Sequence, residues 1–277
     1  MIKNIFVFCL FAFLYSNTLS KDVFVTMNET LFVKNTVPSR GIVCSNVERV
    51  FRLKDHLKDV RHFKTSWGTN VFIGTYKNTP VFIVNAPVGS GSGLVFTELY
   101  AAGALYIVRF GSDDVKNPKK EDYYAVKLID ETDNLYGFNE ASGVDPSEHG
   151  KSVFASPELV KIFKQSALER GLKVELRVCH HLENYHSLRS PEKFSPDRER
   201  ALRARLKQLK RTDKKESFDM ESAVLFRVAK DFDGHAISVL QTVDKESRKG
   251  PYTTKRPFEE ENKILYYILD SLVSISK

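Results

Sequence analysis

The chain has 277 residues, 42% of them hydrophobic and 28% charged, with a net charge of +7. These values are ordinary for a globular protein and exclude a disordered, collagen-like or coiled-coil chain. Three cysteines are too few for a disulfide-built scaffold.

In chain order, the first twenty residues stand apart. Lys3 precedes an uninterrupted apolar run, IFVFCLFAFLY at 5–15, and the small polar SNTLS at 16–20 follows. The run is about half the ~20 residues a membrane-spanning helix needs. The layout is that of a secretory signal peptide cleaved near Ser20, with an uncleaved N-terminal anchor as the alternative. Secretion would make Asn28-Glu29-Thr30 a glycosylation sequon. The mature chain would keep Cys44 and Cys179, which we expect to be buried thiols rather than a bridge. Residues 21–40 read as an N-terminal extension, and 41–277 as one domain.

Within that domain, 41–44 is a short apolar strand, and Asn46 caps a helix over 47–57. Residues 60–66, 70–76 and 79–85 read as strands, with Lys77-Asn78 as the tight turn between the last two. The glycine-serine loop VGSGSG at 88–93 opens a helix over 94–102. A buried strand at 105–110 ends in Gly111-Ser112, and 123–129 is another strand. Residues 130–152 are polar and lack a clear period. A helix follows Ser156-Pro157 and stops at Gly171. A strand at 172–178 precedes a basic insertion at 189–215. That insertion holds eleven Lys/Arg against four Asp/Glu, an excess equal to the whole net charge. Helices at 219–230 and 257–275 flank a buried strand at 235–242. Alternation of strands and helices predicts a single α/β domain, a mixed central sheet flanked by helices.

Sites in such folds gather where strands end and helices begin. Arg109, near the end of YIVRFGS, needs a partner anion if buried; Gly111 and Ser112 beside it favour a phosphate. Arg49 lies one helical turn beyond Ser45-Asn46. In SFDMESAVLF, Asp219 reads as a first-turn acid that favours the helix dipole, and Glu221 as a carboxylate for hydroxyl or N–H groups. Asp244 ends the strand AISVLQTV, where it serves either as a turn residue or as a proton donor. His180, His181 and His186 lack the spacing of a zinc site, so no metal is expected.

The order of GTYKNTPVFIVNAPVGSGSG, IVRFGSD, FDMESA and SVLQTVD resembles the nucleoside phosphorylase family, which includes hexameric purine nucleoside phosphorylases and uridine phosphorylases. The resemblance runs from about residue 41 to the C-terminus. It implies phosphate binding by Ser45, Arg49, Arg109 and Ser112, ribose binding by Glu221 with Met220 beneath the sugar, and a base pocket formed by Tyr185, Phe218 and Asp244. Asp244 would be the catalytic acid at purine N7. The implied reaction is phosphorolysis of purine nucleosides such as inosine, with inorganic phosphate as co-substrate and no other cofactor, in a homo-oligomer, dimer or hexamer. Several positions depart from the family pattern: Ser45-Asn46-Val47 replaces Gly-Asp-Pro, Ala86-Pro87 replaces His-Gly, Asp113-Asp114 replaces Cys-Gly, and Trp67 stands where a neighbouring subunit's arginine is expected. A secreted nucleoside-binding relative with weakened phosphorolysis is therefore the alternative. The basic insertion is a solvated face, a polyanion contact or a lid over the ligand.

Overall fold

A computed structural model describes residues 37–65, 67–113, 125–132, 136–184, 187, 190–209, 215–242 and 258–276. The leader and sequon at 1–36, and with them Asp114, Tyr185, His186 and Asp244, lie outside the described residues.

The elements are β1 (Arg40–Cys44), α1 (Val47–Leu53), β2 (Lys58–Lys64), β3 (Asn70–Tyr76), β4 (Thr79–Asn85), α2 (Ser92–Ala101), β5 (Tyr106–Asp113) and β6 (Val126–Thr132). After them come α3 (Tyr136–Ala141), β7 (Val153–Phe154), α4 (Pro157–Glu169), β8 (Val174–His181), α5 (Pro196–Leu209), β9 (Glu216–Asp219), α6 (Ser222–Asp231), β10 (His235–Thr242) and α7 (Phe258–Val273). The ten strands make one sheet in the order β2-β3-β4-β1-β5-β10-β6-β8-β9, with β7 paired to β6. The fold is a single α/β domain, a mixed central sheet flanked by helices, as the alternation predicted.

Strands β4, β1, β5 and β10 run parallel and form the centre. Their apolar stretches, such as Ile42-Val43 and Ile107-Val108, are fully buried, as covering on both faces requires. At one edge, β2-β3-β4 is an antiparallel meander. Lys77 (φ 48°) and Asn78 (φ 63°) both take the left-handed conformation, which makes the two-residue turn whose twist suits a hairpin. Edge strand β2 is exposed almost throughout and carries Lys58, Asp59, Arg61 and Lys64, charges that discourage pairing with another edge.

Helix α2 packs on α6, and α4 on α7. Tyr267 of α7 donates to the Phe163 carbonyl of α4 at 2.8 Å, with the two rings edge to face. Arg40 at the start of β1 donates to the Leu272 and Ile275 carbonyls, each at 2.9 Å, and so satisfies acceptors left open at the end of α7. Cys44 and Cys179 are buried free thiols; burial pushes the Cys44 pKa up to about 12.

Two local expectations change. The helix expected from Asp219 begins at Ser222, and residues 216–219 are instead a strand parallel to β8. Polar residues in so short a strand give no apolar period, and its pairing with β8 is non-local. The polar stretch at 130–152 contains α3 and a short 3-10 turn at Pro146–Glu148. In the basic insertion, most of the described side chains of α5 are exposed, and the helix packs on its own leading turn, Pro191–Lys193. Arg200 pairs with Asp197 and Arg203 with Glu199 along it.

Candidate functional site

Three strand ends meet at one pocket of about 160 Å³ lined by Ser45, Asn46, Arg49, Arg109, Gly111, Ser112, Asp219, Met220 and Glu221. It thus brings together Ser45, Arg49, Arg109, Ser112, Met220 and Glu221, which sequence had singled out from three distant stretches. Ser45 and Asn46 follow β1. The Asn46 side chain accepts the Arg49 N–H at 2.9 Å and caps α1, which fixes Arg49 in the first turn. Arg109, Gly111 and Ser112 come from the end of β5. Asp219 ends β9, and Met220-Glu221 makes the turn into α6.

Arg49 is 2% exposed. Its guanidinium lies 4.6 Å from the centre of the Phe110 ring and donates to the Phe110 carbonyl at 3.3 Å and the Ser112 hydroxyl at 3.4 Å. Glu261 of α7 approaches its Nε to 3.6 Å. Arg109 is equally buried. It donates through Nε to Glu221 at 3.1 Å and pairs with the same carboxylate through Nη2; Asp219 lies 3.4 Å from its Nη1. Burial alone would lower the Arg109 pKa, but Asp219 and Glu221 outweigh it and hold the pKa above the ordinary range. Arg109 Nη1 and Arg49 Nε, both buried, have no hydrogen-bond acceptor among the described residues. Each of these nitrogens nevertheless faces a carboxylate, Asp219 for Arg109 and Glu261 for Arg49.

Gly111 is required by Arg109. A Cβ at 111 would fall 1.4 Å from Arg109 Nη1, so the guanidinium folds back into the space that any side chain would fill. Gly89 is required by its backbone: with φ at +73° it turns the glycine-serine loop so that its N–H donates to Glu221 Oε1 at 3.1 Å. The glycine-serine loop therefore already holds a carboxylate. Glu221 is gripped from two sides, by Arg109 and by Gly89, and Met220 Cε comes within 3.9 Å of the Gly89 Cβ position.

Asp219 is a residue the sequence understated. Its Oδ1 accepts the N–H groups of Glu221 at 2.9 Å and Ser222 at 3.0 Å, and the Ser222 hydroxyl donates to its Oδ2. It caps α6 from the end of a strand and also faces Arg109. The Asp-x-x-Ser spacing was the available signal. Glu261 was also missed, and nothing near it in sequence marks it.

Asp113, one of the two acids that replace the family's Cys-Gly, lies away from the pocket. It pairs with Lys127 at 2.7 Å, both side chains fully buried, and accepts the Phe218 N–H at 3.4 Å. Burial pushes its pKa up, with Lys127 pulling the other way. Phe218 is half-buried and does not line the pocket; its ring lies 5.2 Å from that of His180. Trp67, in the turn between β2 and β3, is 70% exposed. Among the described residues no three His, Cys, Asp or Glu side chains are placed to hold a metal, and no helix is long and apolar enough to cross a membrane.

This combination of sheet order and strand-end pocket is the fold of nucleoside phosphorylases and nucleosidases. A uridine phosphorylase from Vibrio fischeri ES114, solved with 6-hydroxy-1-naphthoic acid, matches at a TM-score of 0.66 and 18% identity, over 91% of this chain and 98% of that one. A 5′-methylthioadenosine/S-adenosyl homocysteine nucleosidase from Campylobacter jejuni matches at 0.64 and 13%, over 86% and 100%. A futalosine hydrolase mutant from Helicobacter pylori strain 26695 matches at 0.63 and 15%, over 86% and 100%. At these identities the likeness is one of fold. No protein-family model matches the chain, and no curated protein does.

Proposed function

We propose that the pocket binds a nucleoside and cleaves its N-glycosidic bond with inorganic phosphate as acceptor, giving free base and pentose 1-phosphate. Purine nucleosides such as inosine are the proposed substrates. The observation that carries this reading is the convergence of two buried guanidiniums, Arg49 and Arg109, with the Ser112 hydroxyl and the Glu221 carboxylate in one small pocket. Arg49, Arg109, Ser45 and Ser112 would hold phosphate. Glu221 would accept hydrogen bonds from the ribose hydroxyls, with the Met220 thioether beneath the sugar.

In the reaction, the C1′–N bond breaks as the sugar becomes oxocarbenium-like, and a phosphate oxygen forms the new bond to C1′. The leaving base gathers negative charge, and a proton from Asp244 would go to purine N7. Tyr185 would line the base. Names among the fold neighbours span phosphorylase, hydrolase and nucleosidase, which supports N-glycosidic cleavage and leaves base and acceptor to experiment. A leader at 1–20, passage through the secretory pathway and assembly into a homo-oligomer belong to the same proposal. So does polyanion contact through 189–215.

A second reading, nucleoside binding with little phosphorolysis, is favoured by one observation. Asp219, Glu221 and Glu261 already stand against the two guanidiniums. Release of hypoxanthine from inosine, and of uracil from uridine, should be followed with and without phosphate. Phosphate-dependent release from inosine is the expected result. No release at high protein concentration, together with an inosine-induced rise in melting temperature, would leave only the binding reading.

A further inference from the structure

The helix α7 buries Ile264, Leu265, Ile268 and Leu272. Glu261 lies one turn before Leu265 on that same buried stripe and is 2% exposed. A carboxylate at a core position costs several kcal/mol unless cations meet it. Cations of α1 meet it: Arg52 Nη2 at 2.7 Å and Arg49 Nε at 3.6 Å. Arg52 and Arg49 differ in kind. Arg52 is 30% exposed and does not line the pocket, whereas Arg49 is buried and does. An acid meant only to tie α7 to α1 could use Arg52 alone. Its approach to Arg49 sets a fixed negative charge behind the pocket's own guanidinium.

The charges around the pocket make the consequence plain. Arg49 and Arg109 stand against Asp219, Glu221 and Glu261. An incoming phosphate dianion meets positive charge that is already countered, while water as acceptor meets no such penalty. We infer that Glu261 is a specificity-determining residue: from behind Arg49 it weakens phosphate binding and shifts the choice of acceptor from phosphate towards water. This rests on the proposed N-glycosidic cleavage, and Glu261 itself touches neither substrate nor acceptor.

The test uses the full chain and inorganic phosphate, with binding read by calorimetry so that no turnover is needed. Glu261→Gln removes the charge and keeps the shape; it should bind phosphate about tenfold more tightly than the wild type. Arg52→Met leaves Glu261 to Arg49 and should weaken phosphate binding by a few-fold. In the presence of nucleoside and phosphate, Glu261→Gln should also raise the ratio of pentose 1-phosphate to free pentose. A purely structural Glu261 would not produce opposite signs in the two variants. Phosphate binding by Glu261→Gln no tighter than wild type, in a chain with unchanged circular dichroism, overturns the inference. If Glu261→Gln does not fold, unchanged phosphate affinity in Arg52→Met overturns it instead. Tighter phosphate binding without cleavage of any nucleoside would sustain the inference on anion binding and sink the phosphorolysis reading.

Discussion

Arg109 and Asp113 lie on the same face of β5, two pleats apart, and both are almost wholly buried. Each faces an opposite charge, but the two pairs end differently. Asp113 and Lys127 are sealed, with no side-chain exposure on either partner. Arg109 meets two carboxylates, Asp219 and Glu221, and all three line a pocket. The sealed pair joins β5 to β6 and has no route to a ligand. The open one is charge arranged around a space. Burial alone therefore does not mark a site; buried charge that lines a cavity does.

Removing one member of the sealed pair should have the largest effect. Lys127→Met leaves the Asp113 carboxylate buried without its cation and should cost about 3–5 kcal/mol in urea denaturation. Adding Asp113→Leu should recover most of that loss, since a well-packed apolar pair often replaces a buried ion pair at little cost. A loss below 1 kcal/mol in the single variant would show that water reaches the pair.

The open cluster should respond in the opposite sense. In Glu221→Ala, Asp219 remains as the counter-ion of Arg109, and water entering the pocket replaces the acceptor for the Gly89 N–H. The fold should survive, while nucleoside affinity falls about 10–100-fold. Titration calorimetry with inosine and the melting temperature of the free chain separate the two effects. Loss of the fold with affinity intact in the remaining folded protein would make Glu221 a structural residue.

A smaller effect is expected from Gly111→Ala. The new methyl takes the place of Arg109 Nη1. Because the guanidinium is the far end of a flexible side chain, it can swing away at a stability cost on the order of 1 kcal/mol. Phosphate affinity should fall about tenfold as one charge-assisted contact is lost. Unchanged phosphate binding would place the anion elsewhere.

Much of this geometry was legible in the chain because it follows from local pattern. Strands 70–76, 79–85 and 235–242 are apolar runs bounded by turn residues, and the structure returns the same limits. Six pocket residues could be picked out because strand ends in α/β folds carry sites. What could not be read is non-local. The strand at 216–219 exists by pairing with β8, so Asp219 looked like an ordinary helix-start acid. Strand parity places Asp113 on the face of Arg109, but nothing in sequence supplies Lys127 as its partner. Glu261 sits in a long helix whose apolar stripe gives no hint that one acid on it meets Arg49.

Glu98 is a third case, a half-buried acid with no cation among the described residues. It lies on α2, and its side chain has no hydrogen bond or ion pair among the described residues. Burial raises its pKa from 4.5 to about 7. Between those values the folded state binds the proton more tightly than the unfolded state, so this group makes stability fall as pH rises from about 4.5 through 7. Above 7 the folded chain carries a partly desolvated, unpaired carboxylate. Glu98→Gln removes that burden. Because Glu98 is partly open to water, the gain at pH 8 should be only on the order of 1 kcal/mol. It should vanish near pH 4.5, where the wild-type side chain is already neutral in the folded state. Thermal melts of both chains at pH 5 and pH 8 measure this directly. An equal shift at the two pH values would trace the effect to packing, and a destabilised variant at pH 8 would show that Glu98 has a cationic partner after all.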